Sequence, residues 1–167
     1  MRKRVAGRPD PLAEHVWYYL KILRWHASFH CPSWSREEVP QENWRGEKWI
    51  EHRDKLLHGG SLNLWLLVTP YRQEMVVNKR TFETFEFMLH SSRNPGGGLL
   101  QISPDKALRG WLFLPLSGVQ ALLTLLASGH SVVLEVHGSA FKRGKALVHA
   151  NSSWSTEGHP DLEAEFE

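Results

Sequence analysis

Cysteine is almost missing from the chain: Cys31 is the only one in 167 residues. That excludes an internal disulfide framework and a multi-cysteine zinc site, and it fits a reducing compartment. Long apolar runs are missing too. No stretch approaches a membrane span, and the basic start Arg2-Lys3-Arg4 is not followed by an apolar signal core, so no membrane partner is expected. The expectation is a soluble intracellular protein, cytoplasmic or organellar. A strong charge of one sign is also lacking, since the formal net charge is only +2, which does not by itself call for a polyanion. What is plentiful is tryptophan and histidine, eight and ten respectively. Most of the tryptophans are expected in a core or an interface, where their area is removed from water.

The chain has room for one domain. Arg2, Lys3, Arg4 and Arg8 make residues 1–9 a basic flexible start, and Glu157, Asp161, Glu163, Glu165 and Glu167 make residues 156–167 an acidic flexible tail. Between them, residues 10–155 read as a single α+β domain with a helical part over 10–59 and a sheet part over 61–155. Asp10-Pro11 has the form of a helix start. Leu12, Val16, Tyr19, Leu20, Leu23 and Ala27 then recur at helical spacing. A second helix is expected over 42–58, ended by Gly59-Gly60.

The centre of the sequence is Arg109 to Gly129. Trp111-Leu-Phe-Leu-Pro-Leu116 reads as an interior strand ended by a proline. Ser117 and Gln120 have capping-box spacing, Val119, Leu122, Leu123 and Leu126 form an apolar stripe, and Gly129 supplies a left-handed C-cap, so a buried helix is expected over 118–128. Strands are expected over 62–68, 75–77, 80–90 and 99–103. Val132–Phe141 and Lys145–Asn151 form a hairpin. A three-residue loop, Lys142-Arg143-Gly144, places His137 opposite His149. The fold class expected is α+β: two N-terminal helices packed on an antiparallel β-sheet of five to seven strands, with the 118–128 helix buried between strands.

The run Arg80-Thr-Phe-Glu-Thr-Phe-Glu-Phe-Met-Leu-His-Ser-Ser92, then Gly98-Leu-Leu-Gln-Ile-Ser103, then Arg109-Gly-Trp-Leu-Phe-Leu-Pro-Leu-Ser-Gly-Val119 resembles a PUR repeat, a branch of the Whirly-type nucleic-acid-binding folds. Those modules run strand, strand, strand, helix. The resemblance implies single-stranded DNA or RNA laid across a curved sheet, with aromatic side chains stacking on bases and Arg or Lys holding phosphates. The residues agree in kind. Trp111 and Phe113 alternate with Leu112 and Leu114 and form an aromatic face, while Arg93, Arg109, Lys142, Arg143 and Lys145 occupy loop or hairpin positions that could follow a phosphate backbone. The competing reading is that Trp111 and Phe113 lie under a second layer supplied by the N-terminal helices.

The histidines allow two further chemistries. His90-Ser-Ser92 and His137-Gly-Ser139 each place His two residues before Ser, as in two-histidine phosphoesterases, where His90 and His137, with His149 nearby, would act as general acid and base. His26 and His30 at helical i, i+4 spacing, beside Cys31 and with His15 as a possible fourth ligand, would suit zinc. The expectation that follows is a non-catalytic binder of single-stranded nucleic acid within a larger assembly, with no cofactor and no metal. Its alternatives are a protein-interaction subunit docking through Trp-rich N-terminal helices, with oligomers allowed, and the phosphodiesterase.

Overall fold

The computed structural model of the chain describes residues 15–30, 60–93, 95–149 and 152–166. Ten strands and two helices follow in order: β1 His15–His30, β2 Ser61–Pro70, β3 Val76–Val77, β4 Arg80–Thr81, β5 Phe85–Ser91, β6 Gly97–Ile102, β7 Leu108–Leu114, α1 Leu116–Ala127, β8 Val132–Ser139, β9 Lys145–Val148, β10 Ser153–Thr156 and α2 Pro160–Ala164. Neighbours in the main sheet run β1-β2-β5-β7-β6-β9-β8, and β8 pairs back onto β1 to close a seven-stranded barrel. Only β5 and β7 are parallel; the other pairs are antiparallel. β10 adds to β8, and β3 with β4 makes a separate small ribbon.

The expected pair of N-terminal helices on an open sheet is therefore corrected. Residues 15–27 of the first expected helix, together with 28–30 beyond it, form one long strand, whose first half pairs with β8 and whose second half pairs with β2. The pattern misled because this strand is apolar on both faces. Tyr18, Leu20 and Ile22 point into the barrel, while Tyr19 points outward and is buried with Tyr71, Val133 and Leu162. An apolar run on two faces gives neither clean alternation nor a clean helical stripe, and Val, Trp and Tyr then favour the extended backbone. Tyr18 also ties the seam, its hydroxyl donating to the Ser139 carbonyl at 2.6 Å. The second expected helix, the basic start and Cys31 lie outside the described residues.

The outward cover on Tyr19 comes from the acidic end of the chain. α2 is short, begins with Pro160 after His159, and buries Leu162, with Phe166 packed edge-on to Tyr19 and Tyr71. Residues 160–166 are thus docked on the barrel wall, where a solvated tail was expected.

The barrel is filled, not hollow. Leu64, Leu66 and Val68 of β2, Phe87 and Leu89 of β5, Leu108 and Leu112 of β7 and Val136 of β8 meet in one apolar cluster, and α1 adds Val119, Leu122 and Leu126 to it. The α1 helix ends as its sequence indicates. Gly129 has φ +81, its N–H donates to the Leu126 carbonyl at 3.1 Å, and the His130 N–H donates to Leu125 at 3.2 Å, which is the Schellman arrangement. Its start differs. Pro115 occupies the N-cap and no side chain caps the helix, so the Ser117–Gln120 capping box does not form. Beginning directly after β7 lets Leu116 pack against the core cluster, which a start at residue 118 would forgo.

Candidate nucleic-acid interface

The alternation of β7 decides what leaves the barrel. Leu108, Gly110, Leu112 and Leu114 are buried, so Arg109, Trp111 and Phe113 face outward. Among the described residues no helix lies over the two aromatic rings; Trp111 is half-buried and Phe113 is 38% exposed.

Register then assembles two outer rows from strands far apart in sequence. One row reads Trp65, Met88, Trp111, Leu99, Leu147 across β2, β5, β7, β6 and β9. Leu147 in it is 62% exposed. The next reads Asn63, His90, Phe113, Gly97. His90 stacks on Phe113 with ring centroids 5.3 Å apart and 27° between planes, and its Nδ1 lies 2.9 Å from Asn63 Oδ1. Where that row reaches Gly97 there is no side chain. The result is an open depression of about 490 Å³, walled by Trp111, Phe113, Leu99 and Leu147, with Ser92 at its side and the backbone of Gly96–Gly98 lining it.

The glycines are required there. Gly97 has φ +95, and a Cβ on it would sit 2.4 Å from the Val148 carbonyl oxygen; on Gly98 it would sit 1.8 Å from that of Trp111. Gly97 and Gly98, which precede the strand expected over 99–103, belong to that strand and are squeezed between two neighbours.

Charges surround the depression unevenly. Arg109 is engaged, its Nη2 2.7 Å from Asp105 and its Nε 3.4 Å from Glu86. Asp105 is held below the usual carboxylate range by the Ser103 hydroxyl, then by the Ala107 amide and Arg109. Lys145 is exposed on the same face as Leu147, two residues away, or about 7 Å along the strand. Lys142 and Arg143 are exposed at the turn before it. That turn has two residues, Arg143 and Gly144 at φ 53 and φ 76, with Lys142 and Lys145 exchanging backbone hydrogen bonds. This corrects the expected three-residue loop. The register beyond it is the expected one, however, because Gly138 pairs with Val148 and the His149 N–H donates to the His137 carbonyl at 2.7 Å. Arg93 is exposed next to Ser92 at the other side of the depression.

The histidine pair of the esterase reading is not brought together. His90 on β5 and His137 on β8 are three strands apart through β2 and β1 and four through β7, β6 and β9, at least about 14 Å along the wall at the usual strand spacing. That places them on nearly opposite sides of a seven-stranded barrel. His137 and His149 are adjacent, with centroids 5.2 Å apart. The zinc reading loses its geometry as well. On a strand His26 and His30 share a face but lie about 13 Å apart, and His15 lies against β8, at the other end of β1. Among the described residues no three His, Cys, Asp or Glu side chains are placed to hold a metal ion.

Sequence reasoning missed Trp65, Met88 and Leu99 as members of the outer face. Leu147 was legible, since alternation from buried Ala146 and Val148 sends it outward. Trp65 and Met88 join only through pairings of β2 and β5 with β7.

Burial against Phe113 pushes the His90 pKa below its ordinary value. Burial thus disfavours protonation of the folded ring, so the folded state is favoured most above the unfolded-state value and progressively less as pH falls through it. Urea titrations at about pH 7.5 and about pH 5.5, either side of the imidazole range, are expected to show acid destabilisation that His90→Phe reduces. Equal losses in the two proteins would exclude His90 as a cause.

Compared with known proteins, the chain matches no family model, no curated protein and no solved structure.

Proposed function

We propose that this chain is a non-catalytic binder of single-stranded RNA or DNA. A base seats in the depression against Trp111 and Phe113, and the backbone passes between Arg93 on one side and Lys145 with the Lys142–Arg143 turn on the other. The observation that carries the reading is an outward aromatic pair beside an open, glycine-lined hollow of about 490 Å³. A hollow of that size is within the roughly 300–1,000 Å³ range of small-ligand sites. It admits one splayed base, and only an unpaired strand offers its bases in that way. Strand, strand, strand, helix over residues 85–127 is the order that the PUR-like resemblance implies, although here the sheet closes into a barrel.

Anisotropy of a labelled oligo(dT) or oligo(U) across a salt series tests it. Affinity is expected to fall steeply with salt, with a log–log slope reduced by about 0.7 for each phosphate contact removed, hence by about 2 in Lys142→Ala/Arg143→Ala/Lys145→Ala. Arg109→Ala is expected to leave the slope nearly unchanged, because Asp105 and Glu86 already balance that guanidinium. No binding at about 50 mM salt, where phosphate contacts are strong, would rule the proposal out.

A protein-interaction subunit is the second reading. It is favoured by the continuity of the Trp65–Leu147 row and by the exposure of Leu147, Leu23 and Phe29. A salt-insensitive complex with a protein, and none with oligonucleotide, would select it.

A further inference from the structure

The outer row containing Phe113 and the Gly97 gap continues round the barrel into a cluster of imidazoles. A Cβ on Gly97 would lie 3.7 Å from the His149 Cα, so His149 is the next residue beyond the gap. His137 follows on β8, and Trp17 pairs with it across the β1–β8 seam. The His137 ring stacks on two rings of β1, His15 at 4.6 Å and 24° and Trp17 at 4.6 Å and 21°. His149 stands 5.2 Å from His137 and 5.7 Å from His15. Three imidazoles thus crowd one patch of outer wall, beginning where the depression ends.

His137 is stacked on His15, while His149 is tilted against both, and among the described residues no three such side chains are placed to hold a metal ion. Edges of imidazole rings are donors once protonated, and an imidazolium is a donor at both nitrogens. An anion laid across the rings is held more tightly by imidazolium than by imidazole. Anion binding is then coupled to proton uptake. The charged groups that face the patch do not supersede this role. On β8 Glu135 is two residues from His137, but it accepts from the hydroxyls of Ser153 at 3.1 Å and of Ser155. On β1 Lys21 is paired with Glu157 at 2.8 Å, and on β9 Lys145 adds positive charge. β6 contributes only Gly97 to the patch.

We propose that His15, His137 and His149 form a phosphate subsite adjoining the base depression, so that the chain holds a phosphodiester backbone more tightly as pH falls through the imidazole range. This rests on the nucleic-acid reading above, and it names the part of the surface that the strand follows after leaving the depression. His15 is exposed, His137 and His149 are half-buried, and none of the three belongs to the core clusters.

The test is oligo(dT) anisotropy at constant ionic strength, stepped from about pH 8 to about pH 5.5, which brackets the ordinary imidazole value. Uptake of one proton on binding gives up to tenfold in affinity per pH unit, so a rise of roughly tenfold over the range is expected for the natural chain. In His137→Gln/His149→Gln, with His15→Gln as a second variant should the double one fold poorly, affinity at about pH 8 is expected to stay within about twofold, because neutral rings hold no anion by charge. The rise on acidification is expected to shrink to a few-fold or less. Binding without a pH-dependent rise, or a rise of equal size in the double variant, overturns the subsite and leaves the nucleic-acid reading standing. Absence of binding by the natural chain at every pH overturns both.

Discussion

Trp111→Ala/Phe113→Ala is expected to weaken oligonucleotide binding by at least ~30-fold, since stacking on each ring contributes about 1 to 3 kcal/mol. The two side chains sit outside the barrel, and Leu112 and Leu114, which face inward beside them, are untouched. Loss of affinity should therefore exceed any loss of fold. Phe113→Ala alone separates the two, because Phe113 is the more exposed ring and its removal also uncovers His90, stacked on it. An affinity within twofold of the natural chain in the double variant, with cooperative unfolding retained, would show that no base stacks there.

Leu122→Ala is the other large effect, and it concerns stability. Leu122 is fully buried on α1, in the same cluster as Phe87 and Leu112. Truncating a leucine in such a place costs about 2 to 5 kcal/mol through lost transfer energy and the cavity left behind. For a chain of this size that lowers the unfolding midpoint by roughly 5 to 20 °C. Thr124→Ala on the same helix is the control. Its hydroxyl only donates to the Gln120 carbonyl one turn back, at 2.9 Å, and its loss should stay within about 0.5 kcal/mol, as for other surface substitutions. Equal midpoints for the two variants would mean that α1 does not share the barrel's core.

The contrast between these residues shows what a local reading captures. The α1 stripe, its glycine stop and the inward set Leu108, Leu112, Leu114 are all legible from spacing, because a helix repeats every 3.6 residues and a strand every two. The opposition of His137 and His149 was likewise legible. The two-residue turn alone would shift that register by one, and a one-residue offset between the Lys142–Lys145 bridge and the Gly138–Val148 pair restores it. The N-terminal assignment failed for a nonlocal reason. β1 is apolar on both faces because α2, more than 120 residues away in sequence, covers Tyr19 on the outside. Nothing within residues 15–30 records that cover.

By itself, then, the sequence determined the course of α1, most of the strands after residue 60, and which of their side chains share a face, since each of these follows from the periodicity of neighbouring residues. Only the tertiary structure decided that the sheet closes β8 onto β1, that Arg109 is neutralised by Glu86, that His90 and His137 stand apart, and that Trp111, the Gly97 gap and the imidazoles of His149, His137 and His15 follow one another round the wall. Those are matters of which strand lies beside which. Pairing energy between strands arises from backbone hydrogen bonds and cross-strand contacts made only after the chain has closed long loops, and it leaves no periodic mark on either strand alone.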